Sequence, residues 1–337
     1  MPSPAPPEPA APEPVAVTPA APVPDEPEPV PEQVPEQGPE PTGPLRYRTR
    51  HTTRYEYGEG VSVSQHIVHL LPRDNPRQVC TSAVLSVSPE PSIRNEWQDY
   101  FGNPEAYFAV QEPHRTLVIE SRIELEVKPP APLDPTETPS WETVCKLAAD
   151  PETPDAIDAS QFLFDSVMVR ASPALAEYAA PSFKEGRPAA DAALDLMRRI
   201  FTDFTFDSTA TTVATPLTEV LAHRRGVCQD FAHLGVGCLR SVGLPARYVS
   251  GYLRTHPPPG RPRLVGADMS HAWFSVWCGD EAGWIDLDPT NDKPVDADYI
   301  TLAWGRDYDD VSPVRGIILG GWGHTLNVQV DVEPIDD

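Results

Sequence analysis

The sequence has few basic residues and no long hydrophobic run. Its 26 Lys and Arg residues stand against 50 Asp and Glu residues, which gives a formal net charge of −24 at pH 7. A nucleic-acid-binding surface needs a basic patch, and the nearest candidate arginines, at positions 46 to 54, alternate along one predicted strand face. No stretch approaches the roughly 20 apolar residues of a membrane span. We therefore expect neither nucleic acid nor a membrane as a partner.

Cysteine is scarce as well. The five cysteines are an odd number at wide and irregular spacings: Cys80, Cys145, Cys228, Cys238 and Cys278. This pattern argues against a disulfide framework and favours reduced thiols. The N-terminus lacks the basic start and the apolar run of a signal peptide. These absences predict a cytoplasmic protein.

Proline is abundant at one end of the chain. Residues 1–44 contain 17 prolines, eight acidic residues and no Lys or Arg. Without apolar residues to bury, such a segment cannot offset its ordering entropy, so we predict a disordered acidic tail with polyproline II character. The tail is a candidate docking segment for a protein partner. Subtracting its eight charges still leaves −16 for residues 45–337.

Residues 45–130 have the period-two pattern of half-buried strands. The residues of one predicted face are apolar or neutral: Leu45, Tyr47, Thr49, His51, Thr53, Tyr55 and Tyr57. Alternation returns at positions 79–87 and 117–127, which predicts an antiparallel β domain with one solvated face. Residues 131–170 form a connecting region, with some helix expected between Ile157 and Val169.

Helical signals precede strand signals in residues 171–335. We predict helices after Ser172-Pro173, over 189–201, and after Thr215-Pro216, where threonine is a candidate N-cap. The apolar spacing from Phe231 to Val242 predicts one core-facing helix stripe. Strands are predicted at 246–253, 271–278, 283–290 and 326–332. Helices followed by strands indicate an α+β domain.

Two of the cysteines lie in this predicted helix, in different environments. Cys238 falls in the apolar stripe, where a free cysteine commonly behaves as a small buried hydrophobe. Cys228 lies at the helix start after Arg224 and Arg225, where unpaired N–H groups and the helix dipole favour a thiolate. Cys228 is therefore the candidate nucleophile, although cysteines at helix ends are often only packed.

A nucleophile also needs a base and a group that orients the base. In HAWFSVWC, His271 shares a face with Trp273, Ser275 and Trp277, opposite the face that reads as core. In GWIDLDPT, Asp286 and Asp288 share a face, so a neighbouring strand could bring Asp288 beside His271 and fix its tautomer. The alternatives stay open, because such a histidine can simply pack and Asp-Pro-Thr is a common turn.

Other candidates fit less well. His233 lies about 140° around the helix from Cys228, and His223 reads as a surface residue. Zinc ligation by Cys228, His233 and Cys238 fails because these spacings do not converge on one face. Trp273, Trp277 and Trp284 could wall an acyl channel, although aromatics on strands more often pack.

Three blocks in order resemble the transglutaminase-like superfamily: GVCQDFAHL, SHAWFSVW and GWIDLDPTN. Upstream, LRYRTRHTTRYEY, HLLPRDNPRQ and DYFGNPEAYF are similar to the β domain of a bacterial subgroup, and the C-terminal GRDYDDVSPVRGIILGGWGHTLNVQVDV is similar to its end. The resemblance implies a papain-like α+β core over 171–335. It also implies that Cys228, His271 and Asp288 form the catalytic triad, with Asp286 an outer neighbour.

The implied activity is acyl transfer on a peptide or carboxamide, with a peptidase or amidase expected before a cross-linking transglutaminase. A non-catalytic binding or assembly module on the same fold is the alternative from another class, and a metal-dependent hydrolase is a more distant one. No cofactor or metal is expected: animal members use calcium, but no loop here has the carboxylate spacing of an EF-hand.

Overall fold

The computed structural model describes residues 43–256 and 268–335. The predicted tail therefore lies, up to residue 42, outside the described residues. The helices are α1 (Trp141–Ala149), α2 (Pro154–Ser160), α3 (Pro173–Ala179), α4 (Ala189–Asp203), α5 (Leu217–His223), α6 (Cys228–Ser241) and α7 (Tyr308–Val311).

The strands form two main sheets and one short pair. Their bounds are β1 (Leu45–Val68), β2 (Gln78–Ser88), β3 (Ile93–Gln98), β4 (Pro104–Val110), β5 (His114–Val127), β6 (Thr205–Phe206), β7 (Arg225–Gly226), β8 (Ala246–Leu253), β9 (Met269–Trp277), β10 (Trp284–Asp288), β11 (Lys293–Pro294), β12 (Tyr299–Gly305), β13 (Val314–Gly320) and β14 (His324–Pro334).

The first sheet is built around the long strand β1. Its order is β2-β5-β1-β4-β3, and β13 and β14 also pair with β1. Tyr47, Thr49 and His51 are buried on one side of β1, whereas the intervening arginines are exposed. This alternation places an apolar face inward, because successive side chains of a strand point to opposite faces.

The C-terminal strands belong to this first sheet. Residues 47–57 of β1 pair with β14, and residues 61–68 pair with β13. The chain therefore returns from the second sheet to the sheet where it began. The domain boundaries at residues 45–130 and 171–335 stay a prediction, since 314–334 is hydrogen-bonded to the N-terminal sheet.

The second sheet is fully antiparallel, in the order β11-β10-β9-β8-β12. Helix α6 packs against β9 at Gly235, where a Cβ would overlap the Phe274 ring. Helices followed by an antiparallel sheet make this an α+β fold, as the sequence predicts. Every residue of α6 from Asp230 to Arg240 is buried, so the helix is enclosed on all sides rather than along one stripe.

Three local predictions differ from the structure. The alternation predicted over 79–87 holds for Leu85 and Val87, but Val79 is 47% exposed, because a register shift occurs between Cys80 and Ser82. Helix α5 begins at Leu217. Thr215 does not cap it, because its hydroxyl accepts a hydrogen bond from the Thr212 backbone instead. The third difference concerns β9: the sequence predicts a core only on the face opposite His271, but residues 271–277 are buried on both faces.

Within the described ranges, no helix is long and apolar enough to cross a membrane. The predicted location of the protein stays a prediction.

Candidate active site

Helix α6 begins at Cys228, so the thiol lies at the end of the helix where N–H groups have no intrahelical acceptor. The Asp230 carboxylate anchors this start by accepting hydrogen bonds from the Val227 N–H (2.9 Å) and the Thr211 hydroxyl (2.6 Å). Gly226 permits the arrangement, because a Cβ at this position would overlap the Asp230 side chain. The local sequence GVCQD thus holds Cys228 at the positive end of the helix dipole.

The two arginines before Cys228 contact aromatic rings and a carboxylate. The Arg224 guanidinium lies 4.6 Å from the Tyr178 ring centroid and 4.7 Å from that of Phe204. Arg225 forms an exposed ion pair with Asp207 at 3.6 Å. Arg224 has a positive φ of 57° and ends α5, which turns the chain sharply into α6.

His271 lies near the beginning of β9, opposite Gly251 of β8. Its side chain is 7% exposed, and its Nε2 lies 2.7 Å from Oδ2 of Asp288. Asp288 is the last residue of β10, the strand that pairs with β9 on the other side. The neighbouring strands therefore bring His271 and Asp288 together, as their shared period predicts.

The Asp288 carboxylate is completely buried and accepts several hydrogen bonds. Besides His271, Oδ2 accepts from Asn291 Nδ2 at 2.7 Å and from the Tyr299 hydroxyl at 2.6 Å. The other oxygen, Oδ1, accepts from the Thr290 N–H at 2.8 Å. Hydrogen bonds of this number and length stabilise a carboxylate in its ionised form.

The pKa values of the pair shift in opposite directions. Burial alone would raise the pKa of Asp288, but the charge of His271 and the hydrogen bonds from His271, Asn291 and Tyr299 lower it below its usual range. Burial alone would lower the pKa of His271, but the Asp288 carboxylate and a hydrogen bond with Cys228 raise it well above its ordinary value. The geometry therefore favours imidazolium beside carboxylate.

Cys228 contacts the same imidazole. Its side chain lies near enough to His271 to help raise the pKa of the imidazole through a hydrogen bond. Since Nε2 faces Asp288, Nδ1 is the ring nitrogen that is left for the thiol. Cys228 is only partly buried, whereas Asp288 lies behind the histidine with no exposed surface. A partly accessible sulfur, a base and a buried carboxylate thus lie in the order that nucleophilic acyl transfer requires.

The structure separates the other sequence candidates from this group. Cys238 is fully buried, and burial raises the pKa of its thiol. His233 is buried and its Nε2 accepts the Tyr308 N–H at 3.1 Å, while burial lowers its pKa to about 4. His223 is exposed at the end of α5. Asp286 points to the same face as Asp288 but has no hydrogen bond to His271.

The tryptophans pack rather than line an open channel. Trp273 and Trp277 are 0% and 1% exposed, and Trp273 lies edge-on to Tyr299 with ring centroids 5.3 Å apart. Trp284 is half-buried under the Arg247 guanidinium, which lies 4.2 Å from its ring centroid.

Over residues 43–256 and 268–335, no group of three or more His, Cys, Asp or Glu side chains is arranged to hold a metal ion.

Comparison with known proteins identifies the family. A model of the bacterial transglutaminase-like N-terminal region matches residues 47–126, and the transglutaminase-like superfamily model matches residues 176–289. The chain belongs to the transglutaminase-like superfamily, which confirms the resemblance drawn from the three sequence blocks. More particularly, it has the N-terminal region of the bacterial branch.

Some relatives match nearly the whole chain, and another matches a short part of it. An uncharacterised protein from Mycobacterium tuberculosis is 45% identical over 302 residues, which cover 88% of this chain and 95% of that protein. A protein-glutamine gamma-glutamyltransferase from Pseudomonas aeruginosa is 40% identical over 68 residues, or 20% of this chain and 10% of that protein.

A solved structure shares the fold. The crystal structure of a candidate cysteine protease from Cytophaga hutchinsonii superimposes with a TM-score of 0.69 at 20% identity, covering 87% of this chain and 92% of that one. At this level of identity, the likeness concerns the fold.

Proposed function

We propose that this protein is a thiol acyl-transfer enzyme that cleaves a peptide or carboxamide bond, with Cys228 as nucleophile, His271 as general base and acid, and Asp288 as the group that orients the imidazole. The observation that carries the proposal is the buried 2.7 Å contact of His271 with Asp288, together with the contact of His271 with Cys228 at the start of α6.

The reaction has two steps. The Cys228 thiolate attacks the carbonyl carbon and forms a C–S bond, and the tetrahedral intermediate collapses as the C–N bond breaks and His271 protonates the leaving amine. Water, deprotonated by His271, then attacks the thioester, which releases the acid and regenerates the thiolate. The backbone N–H of Cys228 is the candidate donor to the oxyanion.

Asp288 contributes to both steps without touching the substrate. As an acceptor from Nε2, it fixes the tautomer whose Nδ1 faces Cys228, and it stabilises the positive charge that His271 carries after taking the thiol proton. Because Asp288 is buried and multiply hydrogen-bonded, it keeps its negative charge during the cycle.

The proposal is tested by thiol alkylation. The purified protein is treated with a slow alkylating agent at pH values from about 4 to 10, and the modified cysteine is located by peptide mass spectrometry, with Cys228→Ala and His271→Ala in parallel. We expect Cys228 to be alkylated before the other cysteines, because the N-terminal end of α6 and the neighbouring imidazolium favour the thiolate. His271→Ala should abolish that advantage.

If Cys228 in the folded wild-type protein is alkylated no faster than an ordinary accessible thiol, the proposal is contradicted. In that case a binding or assembly module on the same fold would take its place. Cys238 is an internal reference, because it is fully buried and should not be alkylated until the protein unfolds.

Transfer to an amine is the second candidate reaction, favoured by the 68-residue match to a protein-glutamine gamma-glutamyltransferase. The same thioester would then be resolved by a primary amine in place of water. Incubation of a glutamine-containing protein with a fluorescent amine distinguishes the two outcomes: incorporation of the amine indicates cross-linking, whereas release of ammonia or new N-termini alone indicates hydrolysis.

A further inference from the structure

The Oδ2 atom of Asp288 receives more hydrogen bonds than a partner of His271 alone would need. Two of its three donors are the Tyr299 hydroxyl at 2.6 Å and the Asn291 amide at 2.7 Å. Tyr299 is 2% exposed, so its hydroxyl reaches Asp288 inside the protein. Tyr299 begins β12, an edge strand of the sheet that β8 and β9 separate from β10.

We propose that Tyr299 is a positioning residue that holds Asp288 in the orientation His271 requires, and that the N-terminal β region keeps Tyr299 in place by binding the outer edge of β12. This inference rests on the proposed function and deepens it, because it assigns the N-terminal region a part in forming the site.

The hydrogen bonds fix the plane of the carboxylate. The Thr290 N–H binds Oδ1, while Tyr299 and Asn291 bind Oδ2. Rotation of the carboxyl group would break these bonds inside the core, where an unpaired polar group is destabilising. Oδ2 therefore stays directed at Nε2 of His271.

The ring of Tyr299 is itself held in place. It lies edge-on to Trp273, and the ammonium of Lys293 lies 5.0 Å from its centroid. Gly251 makes room for the contact, because a Cβ at this position would overlap the backbone oxygen of Ile300 and press against Trp273. The hydroxyl thus extends from a buried, packed ring.

Two side-chain amides of the N-terminal region bind the edge of β12. Gln78 donates to the Thr301 oxygen at 2.8 Å and accepts from the Thr301 N–H at 2.9 Å. Asn103 donates to the Trp304 oxygen and accepts from the Trp304 N–H, both at 2.9 Å. Between them, the Arg73 N–H donates to the Leu302 oxygen at 3.2 Å.

This pattern imitates a neighbouring strand. On its other side β12 pairs with β8, so the amides of Gln78 and Asn103 complete the hydrogen bonding of what would otherwise be an open sheet edge. Both amides are buried, at 1% and 0% exposure. Since Thr301 is two residues from Tyr299, displacement of this edge displaces the tyrosine.

The test compares Tyr299→Phe with Tyr178→Phe. The latter removes a similar bond, from a tyrosine hydroxyl to Asp203 at 3.0 Å, away from the proposed site. The titration of His271 is followed by NMR of full-length protein labelled with ¹⁵N-histidine, and is assigned with His271→Ala. Cys228 alkylation or kcat/KM is measured beside it.

Without the Tyr299 donor, the Asp288 carboxyl group can rotate away from Nε2, which weakens the interaction that stabilises the imidazolium. We therefore expect the titration of His271 in Tyr299→Phe to move downward by about half a pH unit or more, and kcat/KM or the alkylation rate to fall about tenfold. Tyr178→Phe should change neither. If Tyr299→Phe lowers thermal stability but leaves the titration of His271 unchanged, Tyr299 has only a structural role and the proposal is wrong.

Gln78→Met and Asn103→Leu test the part played by the N-terminal region, each leaving the other amide in place. Both should shift the titration of His271 in the same direction as Tyr299→Phe, by a smaller amount. Folded variants with a wild-type titration would overturn the coupling. A wild-type Cys228 without enhanced reactivity would instead contradict the proposed function, and the titration of His271 would still decide the role of Tyr299.

Discussion

Two neighbouring rows of side chains on one face of the second sheet differ in how completely their polar atoms are paired. The first row contains His271 and Asp288, whose hydrogen bonds extend to Asn291 and Tyr299. The second row contains Arg247, Ser275 and Asp286, which lie opposite one another on β8, β9 and β10.

In the second row, Arg247 and Ser275 are buried and Asp286 is half-buried, and their polar atoms are poorly paired. The Nε of Arg247, the Oγ of Ser275 and the Oδ1 of Asp286 are buried without a hydrogen-bond partner among the described residues. The Arg247 guanidinium lies between two indole rings, 3.7 Å from the Trp304 centroid and 4.2 Å from that of Trp284. Burial lowers the pKa of Arg247 to about 10, although the charges of Asp286 and Asp158 oppose this shift.

The contrast separates two aspartates that are chemically identical and two residues apart. Fixed hydrogen bonds concentrate on the one that faces the histidine. Asp286 lies within electrostatic range of Arg247 but forms no ion pair with it at 4 Å or less in the described part of the chain. A defined set of donors, together with full burial, distinguishes Asp288 from Asp286.

The largest expected difference between the rows is catalytic. Asp288→Asn preserves the shape of the side chain but removes the charge and favours the wrong histidine tautomer, which should reduce kcat/KM roughly 10³- to 10⁴-fold. Asp286→Asn, the matched change in the second row, should alter it by no more than about threefold, since Asp286 has no contact with His271. Equal losses in both variants would show that the two rows act together.

The pH dependence of stability is expected to separate the same two variants. Since the folded-state pKa of Asp288 is lowered, its contribution is present above about pH 4 and is lost as pH falls through the folded value. Since the folded-state pKa of His271 is raised, its contribution is present below about pH 6.5 and is lost as pH rises through the folded value.

The wild-type protein should therefore gain most from this pair between about pH 4 and 6.5. Denaturant unfolding across pH should show a stability loss of about 3 kcal/mol for Asp288→Asn in that window, and a smaller loss at both extremes. Asp286→Asn should follow the wild-type curve in shape. A constant offset between wild type and Asp288→Asn at all pH values would contradict the charged-pair interpretation.

A substitution that alters the packing of α6 against β9 is expected to have a smaller effect, because it changes distances rather than charges. In Gly235→Ala the new methyl group meets the Phe274 ring of β9, which is fully buried. We expect a stability loss of about 1–3 kcal/mol and slower Cys228 alkylation, since α6 must move away from the strand that carries His271. Gly237→Ala is the control: its nearest neighbours are the side-chain ends of Leu217 and Leu175, which can adjust. Equal effects of both substitutions would show that α6 tolerates no added volume anywhere.

The sequence predicts the approach of His271 and Asp288, because both the period of two and the succession of strands are local properties. It also identifies the helix start at Cys228 from the Arg-Arg-Gly turn and the apolar stripe that follows. The family resemblance rests on these same blocks. What the structure adds is the identity of the groups around Asp288.

Tyr299 could not be found by this reasoning. Its strand, β12, was not among the predicted strands, and its contact with Asp288 depends on a position beside β8 that no local pattern specifies. Asn291 lies in the GWIDLDPTN block, three residues after Asp288. The sequence shows that the two residues are near each other, but not that Asn291 donates a hydrogen bond to Asp288. The same limit explains β9: its second face is covered by Val295 and Tyr299, which come later in the chain.

The smallest expected effect is that of Ser275→Ala in the second row. The Ser275 hydroxyl is fully buried and unpaired among the described residues, so its removal gives up no hydrogen bond and relieves the desolvation of a polar group. We expect the free energy of unfolding to stay within about 0.5 kcal/mol of wild type or to rise by about 1 kcal/mol. The control is Ser64→Ala, which removes another buried and unpaired hydroxyl, in the first sheet. Thr290→Val is less suitable as a control, because the Thr290 backbone binds Asp288. A loss of more than about 1 kcal/mol in Ser275→Ala alone would mean that water molecules join Arg247, Ser275 and Asp286 in a hydrogen-bonded network. The two rows would then differ in that one is paired through water and the other directly.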